Sequence, residues 1–243
     1  MIYVADYFMA CSEEAGKDRF GKKIINQNNF RVMNNAIDAE EFIYTDERHC
    51  SLKDKFGLNN KIIFGHVGRF TEQKNHDFLI EVFENIKKKH NEAILLLVGV
   101  GEDFDKIKEK VEARKLEKSV CFLGIREDIS DLMNLFDVFI FPSIYEGLGI
   151  VGIEAQAAGL PCFFSNAIPD EAILTPSVWK FPLKWGAERW ATEINKKIQF
   201  FKRVDNYKLI VKGGYDIKKL SKAMEQFYLN KDCMMKKRNN KNE

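Results

Sequence analysis

Between residues 61 and 165 the chain alternates short runs of apolar residues with amphipathic stretches. The apolar runs occupy 61–68, 93–99, 120–124, 138–141 and 161–165, and they are continuous rather than alternating. Continuous runs of this length suit strands buried on both faces. The intervening stretches, 75–89, 103–115, 129–136 and 150–159, carry their apolar residues at helical spacing. The last of them ends at Gly159 with Pro161 beyond, a glycine-then-proline stop. Buried strands divided by helices predict an α/β fold with a parallel sheet covered on both faces. In such sheets the loops at the carboxyl ends of the strands are where ligands bind.

The ends of the chain read differently. A strand-like run from Val4 to Cys11 precedes Ser12, a helix-capping residue type. Phe30-Arg31-Val32-Met33 reads as a second strand and Asn34-Asn35 as a turn. The stretch 187–229 is helical in pattern, and the polar 236–243 tail is expected to be disordered.

Composition narrows the class without naming a function. At 243 residues, 45% hydrophobic and 30% charged, the chain is an ordinary globular sequence with ample length for a core. A net charge of +2 argues against a nucleic-acid binder, and the Lys87-Lys88-Lys89 and Lys236-Lys237 runs read as solvated surface. That basic fringe allows at most peripheral contact with an anionic membrane surface. Five scattered cysteines with no C-x-x-C spacing predict a reduced, cytoplasmic protein with neither disulfides nor zinc. No apolar run approaches the ~20 residues needed to span a bilayer, and the amino terminus lacks the order of a signal peptide.

The candidate chemistry lies on two strand-end loops. In the first, Gly65-His66-Val67-Gly68-Arg69-Phe70 leads to Lys74-Asn75-His76. Gly68 permits close approach, Arg69 offers a planar fork and Lys74 a point charge, which together suit a diphosphate. Solvated surface cations would give the same pattern. The second loop is Glu146-Gly147-Leu148-Gly149-Ile150, opening the helix that carries Glu154. Its backbone N–H groups and positive helix end suit a phosphate. Between the two acids lie only Gly, Leu, Ile and Val. A carboxylate in such surroundings is costly unless bonded; a ribose diol or a buried Arg or Lys would each satisfy Glu154. Two further loops, Gly99-Val100-Gly101-Glu102 and Gly124-Ile125-Arg126-Glu127-Asp128, border a nucleobase or are tight turns. His66 and His76 read as structural or hydrogen-bonding residues, since no acid or nucleophile accompanies them in a triad-like context.

Taken in order, the segments Gly65-His66-Val67-Gly68-Arg69-Phe70, Glu72-Gln73-Lys74-Asn75-His76, Leu95-Leu96-Leu97-Val98-Gly99, the Glu146/Glu154 pair, and Gly152-Ile153-Glu154-Ala155-Gln156-Ala157-Ala158-Gly159-Leu160-Pro161 resemble the carboxyl-terminal half of group 1 retaining glycosyltransferases of GT-B fold, in particular those of capsule and exopolysaccharide synthesis. The resemblance implies a Rossmann-like, doubly wound domain over 23–205 that takes a UDP-linked sugar and transfers it to a glycan or lipid-linked acceptor without a metal or other cofactor. Arg69 and Lys74 would hold the diphosphate, Glu146 the transferred sugar and Glu154 the ribose. Gly68, Arg126, Gly147, Leu148, Gly149 and Ile150 would complete the donor site.

Two departures from the family pattern stand out. Val100 occupies a position where relatives often carry an acid. Residues 1–22 resemble only the end of the family's acceptor domain, which is otherwise missing, with a helical segment at 206–230 and a polar tail at 231–243. On that expectation Tyr7, Phe8, Phe227 and Tyr228 lose their partner and are exposed. The chain would then need a separately encoded amino-terminal half, be an inactive remnant, or act as a noncatalytic binding module.

Overall fold

A computed structural model describes the backbone of residues 5–239 and the side chains of residues 5–229. In chain order the elements are β1 (Phe8–Ala10), α1 (Glu13–Phe20), α2 (Lys22–Ile25), β2 (Phe30–Val32), α3 (Asp46–Phe56), β3 (Ile62–Val67), α4 (His76–Lys87), β4 (Ala93–Val98), α5 (Phe104–Ala113), β5 (Val120–Gly124), α6 (Ile129–Leu135), β6 (Val138–Phe141), α7 (Ile150–Ala157), β7 (Cys162–Ser165), β8 (Val178–Phe181), α8 (Gly186–Ile198), α9 (Tyr207–Lys212) and α10 (Ile217–Asn239). They fall into two compact units, one holding residues up to Ala39 and from Ile210 on, the other Glu40–Leu209.

The larger unit is a six-stranded, all-parallel sheet in the order β5-β4-β3-β6-β7-β8. Every residue of β4, β6 and β7 is buried, which is why these strands read as unbroken apolar runs. Alternate residues serve opposite faces. Phe64, Leu95, Leu97, Ile140 and Phe163 join Leu79, Phe83 and Trp190 in one core. On the other face Gly65 leaves room for Phe136, whose ring lies 2.1 Å from where a Cβ would stand. Helices α4, α5 and α8 pack together, as do α3, α6 and α7, giving the doubly wound, Rossmann-like arrangement.

Arg203 ties the second helical layer together. Its guanidinium donates to the carbonyls of Met133 (2.6 Å), Asn134 (3.1 Å), Phe136 (2.8 Å) and Ala158 (2.6 Å). These are the orphan carbonyls that end α6 and α7. Burial lowers the guanidinium pKa to about 10.

In the smaller unit β1 and β2 pair in parallel, and Phe8, Ile24 and Phe30 form a core over Gly16. Ser12 caps α1, accepting from the Ala15 N–H at 3.1 Å. The expected strand from Val4 to Cys11 lies partly outside the described residues; within its described part only Phe8–Ala10 form a strand, β1. The expected exposure of aromatics is corrected at Phe8, which is buried, and at Tyr7, whose ring meets Phe227 edge-on at 4.9 Å. Tyr228 is exposed. The polar tail is helical through Asn239, and residues 240–243 lie outside the described residues. Among the described residues no helix is long and apolar enough to cross a membrane.

Candidate functional site

The strand order fixes where a ligand crevice opens. The chain winds from β3 outward to β5, then returns to place β6 on the other side of β3. At such a reversal the connections leave adjacent strands on opposite faces, and the carboxyl ends of β3 and β6 part. Gly68, Arg69 and a short 3-10 turn at Glu72–Lys74 follow β3; Pro142 to Gly149 follow β6.

Three hydrogen bonds knit the two loops. The Ile144 N–H donates to the Gln73 carbonyl (2.8 Å), Gln73 Nε2 to the Tyr145 carbonyl (3.0 Å) and Asn75 Nδ2 to the Pro142 carbonyl (3.1 Å). Asn75 sits at φ 57°, ψ 44°, a left-handed conformation that Asn tolerates better than most residues.

Within this frame Lys74 Nζ donates to Glu146 Oε1 at 2.6 Å, and both side chains are largely buried. Lys74 also lies 5.1 Å from the centre of the Phe141 ring. A Cβ built on Gly68 would stand 3.3 Å from Lys74 Cδ, and one on Gly149 would stand 3.6 Å from Glu146 Cγ. Gly68, Lys74, Glu146 and Gly149 are therefore contiguous. Gly149 (φ 78°) opens α7, whose amino end has no side-chain cap and so presents backbone N–H groups. Gly147 is exposed, Leu148 buried and Ile150 half-buried at this end. Arg69 is exposed, with no ion-pair or hydrogen-bond partner among the described residues.

Glu154, one turn into α7, is a half-buried carboxylate with no partner among the described residues. Burial alone pushes its pKa up to about 7. Of the two partners open in the sequence, a buried Arg or Lys is therefore not the one supplied.

Beneath the loops lie two buried, neutral histidines. His66 Nδ1–H donates to the Ile140 carbonyl (2.8 Å), leaving Nε2 as an acceptor with no partner. Burial lowers its pKa to about 4. Burial, with the fields of His66 and Lys74, takes His76 down to about 2. The rings meet edge-on at 4.7 Å, and Phe70 stacks on His76 at 4.0 Å. Their place under the loops is that of packing residues.

Arg126 stands at the end of edge strand β5, engaged through Nε and Nη2 by Asp128 (2.8 and 2.6 Å). The Gly99–Gly101 loop has a role that the sequence left open. A Cβ at Gly99 would stand 2.2 Å from the Gly68 carbonyl oxygen, and one at Gly101 2.2 Å from that of Phe70. The Phe70 N–H donates to the Val100 carbonyl (3.1 Å). This loop is the bed on which the Arg69 segment lies. Sequence reasoning also missed Gln73 and Asn75 as latches; an Asn just before a helix start was the available signal.

Residues 51–196 match the family model of the group 1 glycosyl transferases. The chain belongs to this family. It is 39% identical over 163 residues to a putative glycosyltransferase, EpsF, of Bacillus subtilis, covering 67% of this chain and 42% of that protein. It is 34% identical over 140 residues to an Escherichia coli UDP-Gal:alpha-D-GlcNAc-diphosphoundecaprenol alpha-1,3-galactosyltransferase, covering 56% of this chain and 36% of that one. The chain thus spans under half the length of these glycosyltransferases. Among solved structures, Anabaena Alr3699/HepE in complex with UDP matches with TM-score 0.76 at 21% identity, over 93% of this chain and 64% of that one. The parallel-sheet, Rossmann-like fold matches part of the chain of such GT-B glycosyltransferases.

Proposed function

We propose that this chain is the donor-binding half of a retaining glycosyltransferase that takes a UDP-linked sugar. The observation that carries the reading is Glu154, an unpartnered carboxylate on the helix whose amino end adjoins Glu146 and, through it, Lys74. A ribose diol donates two hydrogen bonds and fits such a carboxylate. Arg69, Lys74 and the α7 N–H groups then hold the diphosphate, and Glu146 contacts the sugar being moved. Their positive charge stabilises the leaving diphosphate without a metal, while the leaving oxygen takes the proton of an acceptor attacking from the same face. Arg126 borders the base, exchanging part of its pairing with Asp128. The acceptor is a glycan or lipid-linked glycan of surface polysaccharide synthesis, with the chain acting in the cytoplasm or at the inner membrane face. In support, the Escherichia coli relative is named for a UDP-linked donor and a diphosphoundecaprenol acceptor.

Calorimetry with UDP and with uridine tests the donor half of this reading. UDP should bind, and Arg69→Ala should weaken UDP far more than uridine. A folded chain that binds no UDP would refute it, and equal losses for the two ligands would remove Arg69 from the diphosphate.

A further inference from the structure

The opposite end of the sheet holds a second concavity. Its floor is made where β3 and β6 begin, at Ile62 and Val138, and where Pro161 precedes β7. It encloses about 490 Å³, within the range of about 300–1,000 Å³ common to small-molecule sites. Because it opens at the amino ends of the strands, it is separate from the crevice between Lys74 and α7.

The walls combine apolar surface with unbalanced positive charge. Lys53, Lys61 and Arg203 face a single carboxylate, Asp137. That carboxylate is already committed: Lys53 donates to it at 3.0 Å and the Ile63 N–H at 2.7 Å. Arg203 gives its donors to four main-chain carbonyls, which solvate a guanidinium without neutralising it. Its planar face lies 4.0 Å from the Tyr44 ring. Lys61 has no ion-pair partner among the described residues, and His90, also in the wall, faces Glu92 at 3.5 Å. Phe201, packed edge-on at 6.1 Å against Trp179, closes one side with Ile198. A pocket partly open to solvent and carrying surplus cation attracts an anion, and its aromatic walls favour a flat apolar body.

We propose that this cavity is a second ligand site, taking a small free anion, a phosphate monoester or carboxylate, carried on an aromatic or short aliphatic group. Lys61 supplies the charge contact at the lip. Tyr44 and Phe201 flank the apolar part.

Phenyl phosphate, titrated into the full chain with UDP present in excess, tests the site by calorimetry. UDP keeps the probe out of the donor crevice. Binding should be saturable and weaker by about tenfold in Lys61→Gln, the size of one lost charge-assisted contact. Phe201→Ala should weaken it similarly, and benzyl alcohol, which lacks the charge, should bind at least about tenfold more weakly. Both substituted residues are only half-buried, and an unchanged urea midpoint verifies that each variant is folded. No saturable binding, equal affinity for benzyl alcohol, displacement by UDP, or indifference to both substitutions would overturn the proposal. Sedimentation with phosphatidic-acid vesicles separates a free ligand from a lipid headgroup. Wild type and Lys61→Gln should sediment alike, and a loss confined to the variant would refute the free-ligand assignment.

Discussion

Lys74 and Glu146 hold each other at 2.6 Å, joining the loop after β3 to the loop after β6 in the floor of the crevice. Removing one partner of a largely buried pair strands the other charge, at a cost of about 3–5 kcal/mol. Lys74→Met should therefore lower stability by roughly 3 kcal/mol, and Lys74→Met combined with Glu146→Leu should lower it less than the sum of the two single changes. Urea unfolding of the four proteins measures this coupling. Strict additivity would mean the pair contributes nothing.

Glu154 links proton uptake to stability and to ligand binding. Its folded pKa of about 7 stands above the ordinary 4.5, so between those values the folded chain holds the extra proton. Stability from this group is therefore present below pH 4.5 and is lost as pH rises to about 7, by at most roughly 3 kcal/mol. Glu154→Gln should remove that part of the pH slope in urea unfolding. Under the proposed ribose contact it should also weaken UDP by roughly 1.5–3 kcal/mol. An unchanged UDP affinity would take Glu154 out of the donor site.

The buried histidines act in the opposite sense. His66 and His76 have folded pKa values of about 4 and 2, below the ordinary 6.5. The unfolded chain binds their protons first, so stability falls as pH drops below about 6.5, at up to about 1.4 kcal/mol per pH unit for each ring. His76→Phe should flatten the descent between pH 6.5 and 5 without altering UDP affinity at neutral pH. The same steepness in variant and wild type would mean that the ring is not buried neutral.

Asn75 separates backbone strain from hydrogen bonding. Asn75→Ala loses the bond to Pro142 and places Ala at positive φ, whereas Asn75→Gly loses the bond alone. Thermal unfolding should rank them wild type, then Gly, then Ala, with the last step about 1 kcal/mol. Ala and Gly variants of equal stability would show that the left-handed backbone carries no strain.

Much of this fold is written in local pattern. The five apolar runs and four amphipathic stretches between residues 61 and 165 emerge as β3 to β7 and α4 to α7 with ends shifted by a residue or two, because buried strands and two-sided helices have distinct periods. Strand β8 escaped notice because Lys180 interrupts a short edge segment followed by Pro182. Helix α3 buries only Leu52, so its apolar face carries little signal, although Thr45 and Gly57 cap it by the usual means. The site residues were visible as types, but the Lys74–Glu146 pairing was not. It depends on β6 lying beside β3, and strand order is a tertiary property that no run of residues encodes. The two close backbone approaches at Gly99 and Gly101 were hidden for the same reason, whereas the apolar neighbours of Glu154 already marked the burial that raises its pKa.

The insertion of β6 beside β3 also has a kinetic side. The bond between Ile63 N–H and Asp137 that marks this junction spans 74 positions, while β3, β4 and β5 pair across single intervening helices. Closing the longer loop costs more chain entropy and contributes most to contact order. The crevice between Lys74 and α7 is thus assembled by the most sequence-distant of these pairings, and a ribosome-bound chain carries the Arg69 loop well before Glu146 and α7 exist to complete it.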